Sequence, residues 1–177
     1  MPDRGLVGGS LVRLDRLTRL PTFFWCVALM CLVPVGLALF SQHMLGHEPC
    51  PWCILQRVVF VAMALVALVG LVATQLRQSF AQRLALIALM ALAGCGMAAA
   101  LWQHFVAAAS QSCNLTLADK IIHGLLLDTY LPEVFEPRAS CADAIFYFLG
   151  VPYEIWSLGL CGLMALGSVR VMWVGLR

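Results

Sequence analysis

Charged positions divide the chain into four long apolar runs. Phe23–Ser41 carries no charge, Val58–Leu76 is bounded by Arg57 and Arg77, a third run opens at Leu84 and stays uncharged through Gln103, and a fourth, about Ile155–Val174, is broken only by Arg170. Each approaches the roughly 20 residues a helix needs to cross about 30 Å of hydrocarbon. Arg170, near the end of the fourth run, can snorkel to the interface. The pattern predicts an all-α integral membrane protein, a four-transmembrane-helix bundle with spans at about 23–41, 58–76, 84–104 and 154–174. These make a single membrane domain over 23–174, with an N-terminal tail (1–22), loops at about 42–57 and 105–153, and a short C-terminus (175–177). Within the second loop Leu117, Ile121 and Leu125 recur at helical spacing, with Ile122 and Leu126 beside them. That spacing predicts a short amphipathic helix lying in the membrane interface, ended by Pro132 and Pro137. A basic leader precedes the first run, but the run exceeds the apolar length of a signal peptide and is read as a retained anchor.

Composition agrees with lipid as the surrounding medium. The 177 residues are 62% hydrophobic and 11% charged, and mean hydropathy is +0.92, against about 25% charged in soluble domains. Neither a basic tract nor an interleaved aromatic patch suits nucleic acid. The position of the arginines matters more than the net charge of +2. Arg4, Arg13, Arg16 and Arg19 precede the first run, Arg77 and Arg83 flank the turn between the second and third, and Arg170 and Arg177 close the chain. The 105–154 stretch instead has Lys120 and Arg138 against six acids. Both termini are therefore expected on the cytoplasmic side, and the two loops on the other.

Topology sorts the eight cysteines. Cys26, Cys31, Cys95 and Cys161 fall within spans and read as small apolar residues, whereas Cys50 and Cys53 fall in the first loop and Cys113 and Cys141 in the second. Two per loop on a non-cytoplasmic side is what an oxidising compartment permits. Cys50-Pro51-Trp52-Cys53 sits where the second helix begins, so free N–H groups and the helix dipole favour a thiolate at Cys53. Arg57 follows on the same face, about 6 Å along the axis, where its guanidinium can favour that thiolate and bond an anionic oxygen. Redox exchange is the preferred reading, beside a zinc site of His43, His47, Cys50 and Cys53 or a purely structural disulfide. Gln103 and His104, at the outer end of the third span, are candidates for a cofactor pocket. Trp52, Trp102 and Trp156 read as interfacial belt residues.

In these marks the chain resembles the disulfide bond formation protein B (DsbB) family. They are Cys50-x-x-Cys53 followed by Arg57, the paired Cys113 and Cys141, and Phe148-Leu149-Gly150 with Trp156 opening the last span. The resemblance implies a thiol:quinone oxidoreductase of the bacterial inner membrane with its active cysteines periplasmic. A periplasmic DsbA-like thioredoxin-fold oxidase would attack a Cys113–Cys141 disulfide at Cys113, and Cys141 would then engage Cys50. Cys53 would donate to ubiquinone or menaquinone with help from Arg57. This chain departs from many members in having Gln56 where an acid precedes the arginine. It also has Ala99 where a histidine stands one turn before the glutamine, with His104 following Gln103 instead. Other classes carried alongside are a vitamin K epoxide reductase-like enzyme, whose Cys-x-x-Cys is expected late in the chain, and a metal-binding membrane adaptor.

Overall fold

The computed structural model describes residues 4–107, 117–140 and 147–176, with side chains described for 20–107, 117–140, 147 and 149–174. Helix α1 (Arg4–Leu45) leads into α2 (Pro51–Gln75) and α3 (Ser79–Trp102), which continues through one π-helical turn, Gln103–Ala107. Three short helices follow, α4 (Leu117–Gly124), α5 (Leu127–Tyr130) and α6 (Pro132–Phe135). A two-residue-per-strand hairpin, β1 (Tyr147–Phe148) and β2 (Val151–Pro152), then delivers the chain into α7 (Tyr153–Leu176).

Four helical segments are long and apolar enough to cross a bilayer: Leu20–Leu45, Pro51–Gln75, Ser79–Ala107 and Tyr153–Val174. At 1.5 Å per residue they extend roughly 33–44 Å. Helix α1 packs on α2, α2 on α3 and α3 on α7, while α1 and α7 touch only briefly. The interior is built from Phe24, Val27, Cys31, Phe60, Met63, Leu89, Ala93 and Met164. Small residues let the helices approach: a Cβ at Gly70 would enter the Phe24 ring, and one at Gly96 would lie 2.7 Å from Cys161 Sγ, the close packing on which membrane bundles depend. Leu29, Val33, Leu65, Val69, Ile87 and Leu166 stay exposed on the outer faces, as lipid-facing positions do.

The helix ends differ from the pattern-based expectation in an informative way. Arg57 was read as the boundary of the second span, yet α2 begins six residues earlier and the 42–57 loop shrinks to the connection 46–50. Arg57 is only 5% exposed; it lies inside the protein, where its charge has hydrogen-bond partners. Pro51 occupies the first helical position, where its missing N–H costs nothing, and Cys50 caps the helix, its sulfur accepting from the Cys53 N–H. The backbone of the expected tail is also helical from Arg4.

The amphipathic stretch of the second loop is broken too. Leu126 has φ 55°, which ends α4 and turns the chain into α5. Ile122 is buried against Ile54 and Phe135, leaving Leu117, Ile121 and Leu125 on the outside. At the hairpin, Leu149 (φ 53°) and Gly150 (φ 78°) both take the left-handed conformation that a two-residue turn of the I′ type requires. Glycine adopts it freely and leucine does not.

Candidate active site

The Cys-x-x-Cys motif occupies the N-cap and first turn of α2. The two sulfurs lie 2.8 Å apart, and the Cys53 N–H donates to Cys50 Sγ at 3.3 Å. Closing the pair to the roughly 2.05 Å of a disulfide therefore needs only a sub-ångström adjustment. Gln103, in the π turn, donates from Nε2 to Cys53 Sγ at 3.4 Å and accepts from Gln56 Nε2 at 2.8 Å. Gln56 is 1% exposed, and its Oε1 has no partner among the described residues.

The pair is asymmetric. Cys53 lines a cavity of about 430 Å³. Cys50 is not in that wall and packs with Trp52, Ala99, Ala107 and Ala118. Just before Cys50, the Pro49 carbonyl accepts hydrogen bonds from the backbone N–H groups of Arg138 (3.0 Å) and Ala139 (3.3 Å). Cys113 and Cys141 themselves lie outside the described residues.

The cavity occupies the gap that α1 and α7 leave at one end of the bundle. Leu37, Phe40 and Leu45 line it from α1, and each is more than half exposed, so this wall opens onto the lipid-facing surface. Its inner wall is polar, with Cys53, Arg57, Gln103, Tyr153, Glu154 and Ser157. Arg57 Nη1 makes both of the guanidinium's hydrogen bonds, to Gln42 Oε1 (2.7 Å) and to the Val134 carbonyl (3.1 Å). Its Nε and Nη2 have no partner among the described residues. Gln42 also donates from Nε2 to the Glu133 carbonyl at 3.1 Å, so α1, α2 and α6 are joined at this point. Ser157 Oγ is buried without a partner among the described residues.

Of the residues expected from the sequence, Cys50, Cys53, Arg57 and Gln103 come together. His104 is adjacent but does not line the cavity; its Nδ1 lies 3.0 Å from Glu154 Oε1, and Glu154 does. The nominal zinc set is not gathered, because His43 turns to the Leu39 carbonyl and His47 to Ser41 Oγ. Among the described residues no group of three or more potential ligands converges. Trp52 is buried against Trp102, ring centroids 6.2 Å apart. Cys31 and Cys161 are core residues, and Cys26 and Cys95 lie on outer faces.

Sequence reasoning missed Gln42, Glu154 and Ser157, and noted Gln56 only as a departure from the family pattern. Gln42 and Ser157 had one usable signal, a polar side chain beside or within an apolar run, which marks an inward-facing position. Glu154 was read only as one of the acids of the second loop.

Fold and site together define a multi-pass helical membrane protein with a dithiol–disulfide centre at one end of its bundle. The family described as "Disulfide bond formation protein DsbB" matches residues 20–171. Proteins named disulfide bond formation protein B are similar over most of their length. One from Aromatoleum aromaticum is 33% identical over 144 residues, 81% of this chain and 86% of that protein. One from Pseudomonas syringae pv. tomato is 35% identical over 143 residues, 80% and 83%. A third, from Ralstonia nicotianae, is 31% identical over 158 residues, 85% and 92%. The chain belongs to the DsbB family, and its activity is that of a disulfide-generating membrane oxidoreductase.

Proposed function

We propose that the chain couples thiol oxidation outside the cytoplasm to reduction of a membrane quinone, ubiquinone or menaquinone, and thereby reoxidises a periplasmic DsbA-like thioredoxin-fold oxidase. The asymmetry of the Cys50–Cys53 pair carries this reading: one sulfur faces a cavity open to lipid, and the other faces away from it. Cys50, Cys53, Cys113 and Cys141 are the catalytic cysteines.

The residues present suit a quinone. Its headgroup offers two carbonyl acceptors, and the cavity wall offers the unpartnered Nε and Nη2 of Arg57, the orphaned Ser157 hydroxyl and the Gln103 amide. Its apolar tail matches Leu37, Phe40 and Leu45. When bound, a quinone supplies one chemistry, acceptance of the two electrons and two protons of a dithiol. The chain's own part is to hold Cys53 in the cavity wall at the first turn of α2, with the Gln103 amide donating to its sulfur.

Electrons reach the pair by two exchanges, each breaking one S–S bond and forming another. A partner dithiol becomes a disulfide as Cys113–Cys141 is reduced; Cys113–Cys141 is then remade as Cys50–Cys53 is reduced. Support for the second exchange comes from the main-chain bonds of Arg138 and Ala139 to Pro49, because Cys141 follows Ala139 by two residues and Cys50 follows Pro49. A DsbA-type disulfide is strongly oxidising, at about −120 mV, so only an acceptor of still higher potential drains it.

The test is turnover of the full chain in lipid nanodiscs with a reduced DsbA-like protein and a short-chain ubiquinone. Disulfide and quinol should appear one for one, and Cys53→Ser should abolish both. Dithiol oxidation that proceeds without quinone consumption would refute the coupling. Sidedness is checked in cells: reduced Cys50, Cys53, Cys113 and Cys141 should react with an impermeant maleimide from the periplasmic face. Labelling only after the inner membrane is opened would reverse the topology.

A further inference from the structure

We propose that Glu154 and His104 form a proton relay, with Glu154 exchanging protons inside the cavity and His104 connecting it to external water. The inference rests on the quinone reading above. Glu154 is 7% exposed and belongs to the same wall as Cys53, Arg57 and Gln103. Its Oε1 lies 3.0 Å from His104 Nδ1, and the His104 side chain is 35% exposed. A group buried in the cavity wall is thus joined by one hydrogen bond to a partly exposed group near the end of the Ser79–Ala107 segment, where the chain leaves for the second loop.

An acid in the first turn of α7 has a simpler explanation, since it complements the helix dipole. That accounts for a carboxylate at position 154. It does not account for its burial in the cavity wall against an imidazole, because a dipole-compensating acid can stay in water and avoid the cost of desolvation. The other titratable groups of the wall are Tyr153 on α7, Cys53 and Arg57 on α2, and His47 and Glu48 on the α1–α2 connection. His47 and Glu48 are exposed at the rim, and His47 is bonded to Ser41. Arg57 cannot give up its proton.

The chemistry needs such a route. Oxidising the Cys50–Cys53 dithiol forms one S–S bond and releases two electrons and two protons, and the acceptor in the cavity takes up two of each. Only Cys53 faces the cavity, while Cys50 is fully buried outside its wall, so only the Cys53 proton passes directly to the acceptor and that of Cys50 is released to water. One proton must then enter the cavity by another path. Glu154 delivers it and is reprotonated through His104 from water, so the net balance stays at zero.

The experiment compares Glu154→Gln, Glu154→Asp, His104→Asn and the double variant Glu154→Gln/His104→Asn, in nanodiscs with decylubiquinone. Glu154→Gln should lower kcat by about 10²-fold, the scale of a lost general acid, with a larger solvent deuterium isotope effect. Glu154→Asp should recover part of the loss. His104→Asn should act in the same direction, and the double variant should be no slower than Glu154→Gln, because the two groups act in series. Decylubiquinone binding, read by quenching of Trp156 at the cavity wall, should be unchanged. Redox-difference infrared spectra should carry a carboxyl band that is lost in Glu154→Gln and moved in His104→Asn. Wild-type kcat in Glu154→Gln, a loss confined to quinone binding, or effects that multiply in the double variant would each overturn the relay. A wild-type protein that reduces no quinone would instead sink the quinone reading.

Discussion

On the proposed reading, Arg57→Ala removes a guanidinium that serves two sides of the site through different nitrogens. Nη1 holds Gln42 and the Val134 carbonyl, while Nε and Nη2 are left for the cavity. A hydrogen bond to a charged group contributes about 1.5–3 kcal/mol. Losing the two Nη1 bonds therefore costs about 3–6 kcal/mol before relaxation, and the loss falls on the docking of α6. Losing one charge-assisted bond to a quinone oxygen costs about 1.5–3 kcal/mol, or about 10- to 150-fold in kcat/KM for quinone. Arg57→Lys keeps a point charge but not the fork, and should fall between Ala and wild type. Steady-state quinone reduction measures the second effect. Hydrogen exchange of the backbone amides at 133–135 measures the first. Single-turnover exchange between the partner dithiol and Cys113–Cys141, run without quinone, should be affected far less than quinone reduction. Wild-type quinone kinetics in Arg57→Ala would refute the cavity role and leave Arg57 as a tether for α6 alone.

Two further outcomes are expected. Gln103→Leu should leave both polar atoms of the buried Gln56 amide unpaired, costing about 1–3 kcal/mol in stability. Gln56→Leu/Gln103→Leu should recover most of that loss in thermal unfolding followed by circular dichroism, and a double variant less stable than the single would contradict the pairing. With Cys141→Ser, a partner lacking its resolving cysteine should accumulate as a covalent adduct through Cys113, seen on non-reducing gels and mapped by peptide analysis. An adduct trapped through Cys141 in the Cys113→Ser protein would reverse the order of attack.

Apolar run lengths were enough to read four spans, because a bilayer imposes one length scale on every crossing helix. The motif cysteines were legible because Cys-x-x-Cys is local, and capping by Cys50 with Pro51 behind it is decided within four residues. Arg57 shows where this logic stops. A charge beside an apolar run looks like a boundary, and only tertiary structure reveals partners 15 and 77 residues away that let it lie inside the protein. Glu154 was hidden for the same reason, since its partner His104 is 50 residues distant. The left-handed residue that divides α4 from α5 is Leu126 rather than a glycine or asparagine, so the stretch from Leu117 to Pro132 reads as one helix although α4 ends at Gly124.

The second loop meets the Cys50 side through main-chain atoms: the Arg138 and Ala139 amides on the Pro49 carbonyl. Backbone donors are supplied by every residue except proline, so this contact places almost no demand on side-chain identity. Side chains at 138 and 139 can therefore change while the two backbone bonds that seat this part of the loop beside Cys50 are kept. On the proposed electron path, recognition of a partner and hand-over to Cys50 would then be separable, and a new partner could be accommodated without rebuilding the contact beside Cys50.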